Sequence, residues 1–113
     1  MAFGTRVQFN PIGTAAHGAI SGTYSTFGAK LPGHARIICI TNSTNADILV
    51  SADGVTDQLI VVANSFKLFD FSTNRIQNDG LFVPEGTQFY VRSAGSPTTG
   101  NAYIEVITAA GGV

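Results

Sequence analysis

Apolar and polar residues alternate along most of this chain, and the alternation has a period of two. The pattern is plainest over residues 35–57. An apolar run, Ile37-Ile38-Cys39-Ile40, leads into Thr41-Asn42-Ser43-Thr44-Asn45, whose short side chains favour turns by bonding their own backbone. A second run follows over residues 46–52 and stops at Asp53-Gly54. Ile48, Val50 and Ala52 fall on one side of it, and Asp47, Ser51 and Asp53 on the other. This is the pattern of a strand with one side in water. The first run is apolar on both sides, which predicts a central strand covered twice. Together the two runs read as a hairpin.

The rest of the chain repeats this grammar. Phe3, Thr5, Val7 and Phe9 share one face of a short piece whose other face carries Arg6 and Gln8, and Asn10-Pro11 ends it. A small, glycine-rich connector runs on to residue 19. Residues 20–27 form a weak strand, with Ile20, Gly22 and Tyr24 on one side. Gln58-Leu59-Ile60-Val61-Val62 predicts a buried strand. In residues 65–72, Phe66 and Leu68 lie on one face and Phe69 and Phe71 on the other, a switch that suggests a bulge. Short strands are expected at residues 81–83, 87–92 and 102–108, with an exposed loop at 93–101. No window keeps a 3.6-residue apolar period. The expectation is therefore all-β: an antiparallel β-sandwich, jelly-roll or Ig-like, of about eight short strands with essentially no helix. It divides into an N-terminal arm (1–19), the sandwich (20–108) and a small tail (109–113). Ile38, Ile40, Ile48, Val50, Phe89, Val91, Ile104 and Val106 are the expected core.

Composition adds to this in two ways. The 113 residues suit one domain, able to bury roughly two-thirds of its unfolded surface. Charged residues make up only 12% of the chain against 44% apolar, which leaves a surface poorly defended against association. The net charge is −1 and the basic residues are scattered, so no stripe is available for a phosphate backbone and direct nucleic-acid binding is not expected. The single cysteine, Cys39, cannot form an internal disulfide, in keeping with a reducing compartment. No signal-peptide pattern and no run approaching the ~20 apolar residues of a membrane span is present.

Candidate chemistry is sparse. His17 and His34 sit in glycine-containing loops without neighbouring ligands at metal spacing. Cys39, inside an apolar strand, reads as a buried, inert thiol. Asp53, Asp57 and Asp79 lack the oxygen ladder of a calcium loop, and Asp53-Gly54 is more simply a turn. Asn42-Ser43-Thr44 matches a glycosylation acceptor, which has no meaning without a secretory signal. Tyr24, Tyr90 and Tyr103 could stack on sugars. No catalytic residue, cofactor site or metal site is expected, and no enzyme.

Residues 35–108 resemble small virion structural proteins of tailed bacteriophages. The runs that carry the resemblance are Ile40-Thr41-Asn42-Ser43-Thr44-Asn45-Ala46-Asp47, Ser51-Ala52-Asp53-Gly54-Val55-Thr56-Asp57 and Asn64-Ser65. The second half adds Val83-Pro84-Glu85-Gly86-Thr87-Gln88-Phe89-Tyr90-Val91-Arg92, the Gly95-Ser96-Pro97-Thr98-Thr99-Gly100 loop and Tyr103-Ile104-Glu105-Val106. The resemblance implies a β-sandwich that binds other virion proteins. The leading expectation is a capsid decoration (cement) protein on the outside of a phage head, made and assembled in the host cytoplasm. A neck or tail component is the alternative, and a carbohydrate-binding module the reading from a different class. The expected partners are the major capsid protein or other virion proteins and further copies of the chain, with a trimer favoured over a dimer. Phe3, Arg6, Val7, Phe9, Phe69 and Phe71 are the candidate interface residues, and the arm is expected to add to a sheet edge of a neighbour.

Overall fold

The computed structural model describes residues 7–71 and 83–109. They form nine strands: β1 (Val7–Phe9), β2 (Gly13–Ala16), β3 (Ser25–Phe27), β4 (Ala35–Asn42), β5 (Ile48–Ser51), β6 (Leu59–Val61), β7 (Ser65–Asp70), β8 (Phe89–Ser93) and β9 (Asn101–Ala109). One 3-10 turn, His17–Ala19, is the helical content among the described residues. The strands make two antiparallel sheets. Sheet A runs β1-β9-β4-β7, with β2 also paired to β9, and sheet B runs β3-β8-β5-β6. The expected all-β sandwich is the fold.

Strands β1 and β2 lie end to end along β9. Phe9 faces Ile107 and Gly13 faces Ile104, so residues 10–12 oppose only two residues of β9. They are one edge strand with a bulge, and Pro11, which has no N–H to give a ladder, sits in the bulge. Counted this way the nine strands become eight, and the pairing nests: first with eighth (β1/β2 and β9), second with seventh (β3 and β8), third with sixth (β4 and β7), fourth with fifth (β5 and β6). A long antiparallel ribbon folded over on itself in this manner is a jelly roll.

The ribbon's fold-over corrects the central expectation. Residues 35–42 and 48–51 do not form a hairpin; they stand in opposite sheets. The polar residues between them make a corner. Asn42 and Thr44 are fully buried there. The Asn42 amide donates to the carbonyls of Ala46 (2.8 Å) and Val61 (2.9 Å). Its Oδ1 accepts from the Thr44 N–H (3.0 Å) and lies 2.6 Å from the Thr44 hydroxyl. Asp47 ties the parallel crossing of the other strand by accepting from the Ala63 N–H (2.9 Å). Gly100, at φ +89°, closes against the corner: a Cβ there would overlap the Ser43 carbonyl oxygen.

The core lies between the inner faces. Ile38, Ile40, Ile48, Val50, Phe89, Val91 and Ile104 are buried as expected, and Val106 is partly buried against them. Phe27, Val61, Leu31 and Ile20 join them.

Several local expectations are revised. Within residues 20–27 the strand is confined to Ser25–Phe27. The small-residue connector contains β2, in which the buried Ala15 stands opposite the buried Ala102. β4 is central in its sheet but covered on one face only: Ile37 and Cys39 are half-exposed. β6 is an edge strand, so Val61 is buried while Ile60 and Val62 are exposed. β7 has no bulge; it keeps regular register with β4 from Ser65 opposite Asn42 to Asp70 opposite Ile37. The irregularity falls on β4, where Arg36 is the extra residue opposite β9. In the expected strand at 81–83, residues 81 and 82 lie outside the described residues, and Val83 makes a single bridge to Ala35.

Replacing Ile48 or Val91 by Ala should cost about 2–4 kcal/mol in urea denaturation. Asn42→Leu should cost at least about 2 kcal/mol, because it removes the side-chain donor to the Val61 carbonyl and the acceptor of the Thr44 N–H and leaves the Ala46 carbonyl only the Thr44 hydroxyl. Losses under ~0.5 kcal/mol, the size typical of inert surface changes, would contradict the assigned facing and the corner's role.

Candidate interaction face

The register of sheet A sets what its outer face carries, since residues directly opposed across strands share a face. One row reads Phe9, Ile107, Ile37, Asp70; the next reads Glu105, Cys39, Leu68; the third reads Thr14, Tyr103, Thr41, Phe66. Most sandwich sheets alternate apolar inward with polar outward. Here β4 and β7 carry apolar residues on both faces. Phe9 is 77% exposed, Phe66 64%, Leu68 58%, and Val7 and Ile12 each 54%. A shallow groove of about 290 Å³ runs across this face, walled by Phe9, Ile12, Ile37, Leu68 and Ile107, with Cys39 and Glu105 also lining it. Apolar patches larger than a few hundred Å² are uncommon on monomers and mark interaction surfaces.

The edge bulge frames this groove. The Asn10 N–H donates to the Val106 carbonyl (3.2 Å), and its side-chain amide donates to the same carbonyl (3.3 Å) and to the Thr108 hydroxyl (3.1 Å). Those bonds hold Phe9 and Ile12 on the groove's rim.

The candidate interface residues divide. Val7 and Phe9 are exposed on the outer face. Their strand pairs with β9 of its own domain, which corrects the expectation that this piece adds to a neighbour's sheet. Phe3 and Arg6 lie outside the described residues. Phe69 and Phe71 turn inward: their rings stack 6.3 Å apart and within 6° of parallel, and both pack against the core. A small apolar cavity of about 120 Å³ remains beside them, bounded also by Ile38, Leu59 and Phe89. The exposed members of that strand are Phe66 and Leu68. Unbroken alternation through residues 65–70 puts the two on one face; the position of the second sheet makes that face the outer one.

Sheet B presents a different outer surface. Arg92 grips Asp57 with two bonds, Nε to Oδ1 at 3.0 Å and Nη2 to Oδ2 at 2.6 Å. The Tyr24 hydroxyl donates to the same carboxylate, and the Arg92 guanidinium lies 5.5 Å from the centre of the Tyr24 ring. Asp53 accepts from the N–H groups of Val55 and Thr56 (2.8 Å each) and from the Ser51 hydroxyl (2.6 Å). Gly54, at φ +76°, packs against the ring of Tyr90. These bonds pin the loop between β5 and β6. The Ser51 hydroxyl first, then the Thr56 and Val55 N–H groups, hold the Asp53 carboxyl well below the usual carboxylate range. Arg92, and after it Tyr24, lower Asp57. Burial first, then the hydrogen bond to Asp57, raises the Tyr24 phenol. Both aspartates are thus occupied by turn and ion-pair bonds, and Asp79 lies outside the described residues.

The other candidates are spread apart. His17 is half-buried and its Nδ1 lies 3.1 Å from the Gly100 carbonyl, while His34 is exposed and its Nδ1 accepts from the Glu85 N–H (2.9 Å). Cys39 is half-buried on the outer face rather than sealed in the core, because the sheet has no second layer over that side. Asn42, the glycosylation candidate, has its amide enclosed in the corner. Tyr24 and Tyr90 belong to the sheet B side and Tyr103 to sheet A, so the three tyrosines do not share a platform. Among the described residues no group of three His, Cys, Asp or Glu could hold a metal, and no helix is long and apolar enough to cross a membrane. No family model, curated protein or solved structure matches this chain.

Because the folded pKa values of Asp53 and Asp57 are depressed, their contribution to stability is fully present above the unfolded value of about 4 and is lost as pH falls through the folded values. The stability gap between the wild type and Asp57→Asn should therefore be widest above about pH 5 and close towards pH 2. Thermal unfolding followed across that range measures it; a gap that widens on acidification would contradict the assignment.

Proposed function

We propose that this chain is a non-enzymatic structural protein of a tailed-phage virion, a capsid decoration protein that binds the outside of the head and stabilises it. The observation that carries the reading is the exposed apolar face of sheet A, set on a jelly roll with little surface charge. The resemblance of residues 35–108 to small phage virion proteins supports it independently. Its partners are the major capsid protein or other virion proteins and copies of itself, with a three-fold assembly preferred. It is made in the bacterial cytoplasm and ends in the particle.

A jelly roll suits this work because its rigidity comes from the ribbon's own pairing, which leaves a sheet face available for association. Burying the remaining exposed surface of Phe66 and Leu68 against a neighbour would contribute roughly 1–2 kcal/mol each. Glu105 and Asp70 at the same face give the contact a preferred register.

Quantitative mass spectrometry of purified particles tests the reading. The chain should be present in hundreds of copies per particle; about a dozen would move it to the neck, and absence would end the proposal. Leu68→Asp, at an exposed position, should leave thermal stability within ~0.5 kcal/mol of wild type. It should lower occupancy on the particle at least tenfold.

A further inference from the structure

We infer that the groove on sheet A is the socket for residues 1–6 of a neighbouring copy, with Phe3 seated between the apolar walls and Arg6 paired to Glu105. This rests on the reading of that face as an association surface, and it names the occupant.

The groove has apolar walls and a single charged residue, Glu105, among its lining. The register sets Glu105 beside Cys39 and Leu68, and among the described residues it has no ion-pair partner. A carboxylate covered by an apolar occupant would lose its hydration without compensation, so the fitting occupant brings its own cation. An arginine meets this requirement best, since its planar fork can satisfy both oxygens.

The chain carries such a segment at its own start. Met1-Ala2-Phe3-Gly4-Thr5-Arg6 contains one large aromatic side chain and one arginine, three residues apart. In a polyproline-II course, with three residues per turn, Phe3 and Arg6 would fall on one side and six residues would span about 19 Å, enough to cross a sheet of neighbouring strands roughly 5 Å apart. The direction of exit decides whose groove it enters. Phe9 faces Ile107 and Val7 faces Ala109, so the chain traced back towards residue 1 travels along β9 away from Glu105. Entry into its own groove would demand an immediate reversal at the sheet edge; entry into a neighbour's demands none. Val7 and Phe9, both exposed, would flank the point of crossing. Reciprocal exchange closes a pair and sequential exchange closes a ring, so a three-fold assembly is compatible.

Sedimentation velocity of the purified full chain at micromolar concentration is the first test. The wild type should be oligomeric. Deletion of residues 1–6, Arg6→Glu and Glu105→Arg should each weaken association at least tenfold, and the double exchange Arg6→Glu/Glu105→Arg should restore it. Circular dichroism keeps folding separate from association. A labelled peptide of residues 1–8 should bind the truncated chain, and Leu68→Asp in that chain should abolish binding. A monomeric wild type, an oligomer indifferent to the deletion, or single reversals that the double exchange does not rescue would overturn the inference. Particle content is read separately. Absence from particles with arm exchange intact ends the virion reading alone, and particle incorporation of a chain that oligomerises without residues 1–6 ends the arm reading alone.

Discussion

The buried amide of Asn42 is the constraint on which the jelly roll depends. Two strands of the ribbon must leave sheet A and enter sheet B at one end, and each crossing breaks the ladder that satisfies backbone groups. Asn42 replaces the missing partners from a position with no solvent exposure. Its two N–H groups serve a carbonyl from each crossing segment, Ala46 and Val61, and its oxygen serves Thr44. An asparagine side chain can engage about four partners, and here its donors and its acceptor are all engaged. No apolar residue could do this, and a charged one would be buried without compensation. The Gly100 approach completes the corner by letting the chain before β9 lie directly on the Ser43 carbonyl.

With the ribbon folded in this way, the two outer faces acquire opposite characters. Sheet B carries the pinned loop, in which Asp53, Asp57, Arg92 and Tyr24 use their polar groups on one another. Sheet A carries Phe9, Phe66 and Leu68 in the open, around a groove whose one charge is Glu105. Water contact with so much apolar surface is unfavourable, and the twelve per cent of charged residues in the chain does little to keep copies apart. The fold supplies a plate with one apolar outer side. That property, rather than a constellation of reactive groups, is what the functional proposal rests on.

Much of this was legible in the sequence. Alternation with period two determined the all-β class and seven of the eight expected core residues as buried, because the side of a strand a residue occupies is a local property of the backbone. Asp53-Gly54 was readable as a chain reversal because Gly54 takes a positive φ and Asp53 bonds the backbone N–H groups two and three residues on. That these strands carry apolar residues on both faces was visible in Ile37, Cys39, Phe66 and Leu68, though not that these four would stay uncovered.

Tertiary structure alone decided which strands are partners and which apolar faces stay uncovered. Residues 41–45 have the composition of a turn, and a hairpin and a sheet-crossing corner use the same turn formers; only the carbonyl of Val61, 19 residues from Asn42, distinguishes them. Phe69 and Phe71 point inward and Phe66 and Leu68 outward because β7 keeps its register with β4. Nothing in eight residues of alternating phenylalanines says which side the second sheet will cover. The arm's pairing with β9 was likewise beyond local pattern, since its partner lies about a hundred residues away and the small side chains of β2 carry no alternation of apolar and polar positions.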